Sequence, residues 1–279
     1  MGKIISIVNQ KGGVGKTTTA INLSSALALL DYKILLIDCD PQANATSGLG
    51  LNQRDFENNN IYSYLSGNAT LDEVVNKTFI PNLEIITSHI DLAGFEIEII
   101  NEMSREAIMK DKFTELKDSY DFIFIDCSPS LGLLVINVLV SSDSVLIPVQ
   151  CEYFALEGLA KLMDTIKLVK KKLNRNLEIE GIVPVMFDGR TNLSHEVVKE
   201  IKNAFDDLTY ETIIPRNIRL ADAPSFGVPV FFVDKRFDKS ETKDLLFENA
   251  GAIAYLNLAR EVLSRNNLKY LNERKFIQQ

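Results

Sequence analysis

The chain alternates short unbroken apolar runs with longer stretches in which apolar residues recur every three or four positions. Lys3 to Val8, Lys33 to Ile37, Leu83 to Ile86, Asp121 to Ile125, Ser144 to Val149, Glu178 to Val185 and Tyr210 to Ile214 are short and rich in β-branched residues, which predicts strands. Several lack the apolar–polar alternation of a strand with one wet face. Strands covered on both faces have that character, so the fold class predicted is α/β, a doubly wound, mostly parallel sheet with helices on both faces. Thr17 to Leu30 and Gly158 to Leu173 fit amphipathic helices. In the second, Leu159, Leu162, Met163, Ile166, Val169 and Leu173 share one face, leaving Lys167, Lys170, Lys171 and Lys172 to a solvated one. A last helix is predicted from about Asn249 to Arg265.

Polar stretches fill the gaps. Asn52 to Asn60 predicts a surface loop, 234–248 a charged segment, and 266–279 a tail that frays. No Pro/Gly/Ser-rich linker, low-complexity tract or internal repeat divides the chain, and residues 1–279 are expected to form one domain. The best apolar run, Leu131 to Val140, is broken by Asn137 and falls short of the roughly 18 residues that span a bilayer. Residues 1–8 run straight into a strand, without the regions of a signal peptide, so a cytoplasmic protein is expected.

Composition narrows the function. Apolar residues make up 46% and charged residues 24%, as in an ordinary globular protein. Cys39, Cys127 and Cys151 are odd in number and show no C-x-x-C spacing, which predicts buried thiols rather than disulfides or zinc. The net charge of -8 argues against a surface uniformly attractive to nucleic acid. Any DNA binding must use a local patch.

The chemistry begins at Asn9-Gln10-Lys11-Gly12-Gly13-Val14-Gly15-Lys16-Thr17-Thr18. It nearly fits the phosphate-loop pattern G-x-x-x-x-G-K-[ST], with Gln10 in place of the first glycine and an extra lysine, Lys11. A strand precedes it and a helix follows, as a P-loop NTPase-like fold requires. Gly12, Gly13 and Gly15 allow successive N–H groups to converge on phosphate at the helix N-terminus. Lys16 adds charge for the β and γ phosphates, and the Thr17 hydroxyl can ligate Mg²⁺. Two further strands end in carboxylates. Phe122 to Ile125 leads to Asp126, the arrangement of a Walker B aspartate; Leu35 to Ile37 delivers Asp38 and Asp40, spaced i and i+2 and so pointing the same way before Pro41 stops the ladder.

With these residues in place, the chain resembles the ParA/Soj family of partition ATPases, of the deviant Walker A class that also includes MinD and the nitrogenase iron protein. The resemblance spans nearly the whole length. It rests on KGGVGKTT at the loop, IDCDPQANATSGLG at 37–50, FIDCSPSLG at 124–132, MFDGRTNLS at 186–194 and IPRNIRLADAPSFGVPV at 214–230. It implies that Lys11 reaches across an ATP-sandwich homodimer to the partner's phosphates, while Lys16, Thr17 and Thr18 serve their own nucleotide. It implies that Asp40 prepares the attacking water, Asp38 lies near Mg²⁺, Asp126 is the Walker B residue, Pro215 and Asn217 contact adenine, and Arg190 and Arg219 bind nonspecific double-stranded DNA. ATP and Mg²⁺ are the cofactors implied, and a ParB-like centromere-binding protein the partner, acting on a slow, nucleoid-associated ATPase. The departure from the family is about ten extra residues between Val230 and Gly251.

Two rivals make different demands. A MinD-like membrane-associated ATPase needs a C-terminal amphipathic helix, and Leu268, Leu271 and Phe276 are poorly spaced for one, so no membrane contact is expected. An iron–sulfur reductase needs exposed cysteines, whereas Cys39 and Cys127 follow aspartates on apolar strands.

Overall fold

The unbroken apolar runs become the interior of one sheet. The computed structural model describes residues 2–233 and 249–268. The strands are β1 (Lys3–Ile7), β2 (Ile34–Cys39), β3 (Val75–Lys77), β4 (Leu83–Ile86), β5 (Phe122–Cys127), β6 (Ser144–Gln150) and β7 (Glu178–Val185), side by side in the order β3-β4-β2-β5-β1-β6-β7. Every pairing is parallel except that of β3 with β4. The helices are α1 (Lys16–Leu29), α2 (Asn44–Gly48), α3 (Ile61–Leu65), α4 (Leu71–Val74), α5 (Leu92–Glu98), α6 (Ile108–Thr114), α7 (Leu133–Ser141), α8 (Ala155–Lys172), α9 (Asn192–Phe205), α10 (Ile218–Asp222) and α11 (Ala250–Arg265).

Alternate residues of each strand feed opposite layers. Ile4, Leu35, Ile37, Ile123, Ile125, Val145 and Ile147 pack with the apolar sides of α7, α8 and α9. Ile5, Ile7, Leu36, Ile85, Phe122, Phe124 and Leu146 pack with α1 and α11. Each such side chain contributes roughly 1.5–3 kcal/mol on burial. This two-sided covering is why the strands read as continuous apolar runs. β1 lies between β5 and β6, and the chain leaves it toward β2 on one side and later builds β6 on the other. The carboxyl ends of β1, β2 and β5 therefore open at the point where strand order reverses, where ligands bind in sheets of this kind.

Three expectations need correction. Tyr210 to Ile214 is not a strand: it runs beside β7 with only isolated bridges, Ile182 to Thr209 and Phe187 to Pro215. The N–H groups of Glu211 and Thr212 donate instead to the Glu261 carboxylate, 2.9 Å each, and Pro215 has no N–H for a ladder. The short antiparallel strand β3 is absent from the sequence reading, because three residues carry no period. The apolar stripe of α8 ends at Val169, and Leu173 is 42% exposed past the last turn. The lysines of α8 are on the wet face as expected, with Lys161 paired to Glu157 and Lys167 to Asp164. The Asn52–Asn60 stretch is mostly exposed and contains a 3-10 turn, Gln53–Phe56; only Asn60 is buried, where its side chain caps α3 through the Ser63 N–H. The charged segment 234–248 and the tail beyond 268 lie outside the described residues.

One close approach joins distant parts of the chain. Gly50, just past α2, and Gly227, after α10, both adopt positive φ, 80° and 63°. A Cβ on Gly227 would lie 2.6 Å from the Gly50 Cα, and one on Gly50 would lie 2.8 Å from the Gly227 carbonyl oxygen. Both left-handed torsions and the absent side chains are needed there.

Candidate nucleotide site

The phosphate loop is anchored from beneath. Asn9 is buried; its amide donates to the Pro148 carbonyl at 2.7 Å, and its Oδ1 accepts the Lys11 N–H at 3.0 Å. Gly13 and Gly15 have φ of 73° and 80°, and Gly15 is the residue from which α1 starts. Cβ atoms at Gly12 and Gly13 would meet nothing within 4 Å, so the loop rims open space where a phosphate chain can lie against N–H groups.

The two lysines face different ways. Lys16 is buried, and its ammonium donates to the Lys11 carbonyl at 3.2 Å. Burial lowers its pKa, while Asp126, Cys127 and Asp40 oppose that shift. Lys11 is exposed, and its ammonium bonds Glu152 Oε2 at 2.9 Å and Gln150 Oε1 at 3.4 Å, at the end of β6.

Below the loop, Asp38 and Asp126 are register partners on β2 and β5, both fully buried. Neighbouring strands lie about 4.8 Å apart, so two carboxylates sit side by side in a dry interior. Burial, and then the neighbouring Asp38, push the Asp126 carboxyl well above the ordinary carboxylate range. Neither Asp126 oxygen has a hydrogen-bond partner within normal limits; the Thr17 hydroxyl lies near enough to favour the anion, though outside that geometry. A buried carboxylate left without donors, beside a helix-start hydroxyl and a second carboxylate, is a donor set of hard oxygens fit for Mg²⁺.

Asp38 is differently placed. Oδ2 accepts both the N–H and the hydroxyl of Thr46 at 2.8 Å, and Oδ1 accepts the Asp40 N–H at 3.2 Å. Burial raises its pKa to about 6, against these donations. With both oxygens engaged it is a poorer metal ligand than the resemblance implies, and it ties α2 to the strand. Asp40 is buried at the rim; its Oδ1 accepts the Gln42 N–H at 3.0 Å in the turn before α2.

Gly15 and Thr18 share a cavity of about 220 Å³ with Val185, Met186, Pro215, Asn217 and Tyr255. The structure thus brings Pro215 and Asn217 to the loop, although about 200 residues separate them in the chain. Asn217 Oδ1 accepts the Arg219 N–H at 2.8 Å, starting α10, which leaves the amide nitrogen as its donor. Arg190 is exposed on the loop after β7 and Arg219 in the first turn of α10, and the two segments are joined where the Arg216 N–H meets the Phe187 carbonyl at 2.8 Å. Arg190 forks onto Asp188 at 2.7 and 2.8 Å, and this pairing holds the Asp188 carboxyl well below its usual range. Cys39 and Cys127 are buried register partners, so an intersubunit cluster has no thiols to use there.

Sequence reasoning missed Glu152, Arg216 and Met186. Glu152 follows β6 as Asp126 ends β5, and the same strand-end argument would have found it. Arg216 lies 3.9 Å from Glu152 and lines the cavity, a relation no local pattern encodes.

A family model described as an AAA domain matches residues 2–179. The sporulation initiation inhibitor protein Soj of Bacillus subtilis is 50% identical over 262 residues, covering 94% of this chain and 98% of that protein. The chromosome partitioning protein ParA of Myxococcus xanthus is 46% identical, covering 96% and 90%. Among solved structures, cobyrinic acid a,c-diamide synthase from Mycobacterium smegmatis with bound ADP and magnesium matches with a TM-score of 0.77 at 29% identity, covering 96% of each chain. Among the described residues no helix is long and apolar enough to cross a membrane. The loop with two lysines, the strand-end aspartates and half the residues held in common with Soj over nearly its whole length agree: the chain belongs to the ParA/Soj family of partition ATPases.

Proposed function

We propose that this protein is an ATP-dependent dimerising switch that binds DNA without sequence preference and hydrolyses ATP to drive chromosome or plasmid partitioning with a ParB-like partner. The observation that carries the reading is the divergence of the two lysines: Lys16 turns inward under its own loop, and Lys11 turns outward to a surface ion pair. A lysine on that rim is of little use to the nucleotide held by its own chain and is available to one held by a second copy.

The geometry supports one role for each residue. The N–H groups of residues 12–18 hold phosphate, and the Lys16 ammonium neutralises charge on the β and γ oxygens. Met186, Pro215 and Asn217 offer adenine an apolar slot and an amide. Thr17 and Asp126 would hold Mg²⁺, which neutralises phosphate charge when bound. Asp40 orients the attacking water and accepts its proton as the new oxygen–phosphorus bond forms and the bond to the β-phosphate oxygen breaks. Lys11 arrives from the other subunit, so hydrolysis waits on assembly and is slow until a partner stimulates it. Arg190, Arg216 and Arg219 supply the local cationic patch that the net charge of -8 demands, and DNA phosphate competes there with the partners these side chains already hold, Asp188 for Arg190 and Glu152 for Arg216 among them. Two copies side by side double the phosphates neutralised. A cytoplasmic, nucleoid-associated protein built as a single domain completes this reading.

Sedimentation velocity of the full chain with ADP, ATP and ATP plus DNA tests all three links. A monomer with ADP, a dimer with ATP and co-sedimentation with DNA only in ATP are expected. A monomer under every condition would sink the reading.

A further inference from the structure

Among the described residues, an apolar face along α5 is left unpartnered by the fold. Helix α5 buries Leu92 and Phe95, and Ile99 continues that inner side into the 3-10 turn Ile99–Asn101. The outer side shows Ile97 at 75% exposure and Ile100 at 52%, spaced i and i+3, with Ile90 at 52% before the helix and Met103 at 94% after it. Exposed apolar side chains clustered in this way mark interaction surfaces. Residues 89–106 also hold five carboxylates, Asp91, Glu96, Glu98, Glu102 and Glu106, against one arginine, Arg105, which is itself bound to Glu106. The occupant that fits is a short basic segment with apolar residues on one side.

This face is wired to the nucleotide site. Glu96 Oε1 accepts the Leu134 N–H of α7 at 2.7 Å, so a carboxylate of α5 caps the helix that begins six residues after Cys127, the end of β5. On its other flank Glu98 accepts the Tyr62 hydroxyl of α3 at 2.9 Å. A segment seated on Ile97 and Ile100 bears on the loop that follows Asp126. The geometry points to the α5 face, Ile90 to Met103, as the docking surface through which a basic amphipathic segment of the ParB-like partner stimulates hydrolysis. This rests on the partner reading proposed above.

The test measures ATP hydrolysis by the full chain with DNA, titrated with the ParB-type protein of the same cell bound to its centromere DNA. The double variant Ile97→Lys/Ile100→Lys and the single variant Met103→Lys, at the most exposed position, are compared with the unaltered chain. Unstimulated turnover and ATP-dependent dimerisation should be unchanged, and the partner concentration giving half-maximal stimulation should rise at least tenfold in both. Stimulation that survives intact in both variants overturns the docking assignment while leaving the partner reading standing. Absence of stimulation in the unaltered chain overturns the partner reading itself. Loss of the ATP-dependent dimer in Met103→Lys assigns the face to a second copy and overturns the docking assignment too.

Discussion

At the scale of single residues, the site is a set of charges held where water is scarce. Lys11 lies on the rim and Lys16 beneath it, so their substitutions should separate. Lys11→Ala is expected to retain binding of a fluorescent ATP analogue within about twofold while phosphate release falls to background; equal loss of both would refute a role in trans. Asp126 is buried with no donor in hydrogen-bonding geometry, a cost that the fold carries until a cation offsets it. Asp126→Asn should therefore raise the melting midpoint of the nucleotide-free protein by at least about 2 °C, since about 1 kcal/mol moves a domain of this size by about 2–4 °C. The same variant should lose hydrolysis. The Asp38 carboxyl titrates near 6 when folded and near about 3.9 when unfolded, so its contribution to stability is full below the lower value and is lost as pH rises through the higher one. A pH series of melting midpoints without nucleotide should decline as pH rises from about 4, and Asp38→Asn should make that limb shallower, the remainder belonging to the neighbouring Asp126. Lys16, Thr17 and Asp126 were legible because a strand, a loop and a helix in succession leave few geometries. The saturation of Asp38 by Thr46 was not, because it joins residues across a turn whose shape depends on Ala43 at a φ of 50°.

At the scale of elements, periodicity worked wherever burial was regular. The strands entering the site were read to within about two residues, and the miss at their ends mattered: β2 and β5 continue through Asp38 and Asp126, which places those carboxylates in register. Tyr210 to Ile214 failed for a different reason. Its β-branched residues and Tyr210 pack on β7 as a strand would, yet the Glu261 carboxylate of α11 takes the N–H groups that a ladder needs. Tyr210 lies directly over Gly181, where a Cβ would collide with the ring. Gly181→Ala should thus cost about 1–3 kcal/mol, read as a lower urea midpoint with unchanged slope. A change below about 0.5 kcal/mol would mean that the ring moves aside freely.

At the scale of the whole molecule, an acidic protein proposed to bind DNA must gather its cations, and the structure sets Arg190 on one loop and Arg216 and Arg219 on the adjoining segment that runs into α10. Arg219→Ala should weaken binding to all DNA sequences alike and lower the slope of log affinity against log salt by roughly one for each phosphate that the arginine neutralises. Unchanged affinity at two salt concentrations would retire that residue from the patch. The sheet order was legible only as a class: apolar runs announce parallel strands, but nothing local states that β5 inserts between β2 and β1. That insertion sets the two carboxylate-bearing strands next to one another. The meeting of Gly50 and Gly227 acts at the same scale. One glycine closes the segment that carries Asp40; the other closes the segment that carries Asn217 and Arg219. Where main chain rests on main chain there is no side-chain slack to absorb a displacement, so a shift beside Asp40 is delivered undiminished to the segment of Asn217 and Arg219, and on the proposed reading the clock and the clutch of the machine turn on a single shaft.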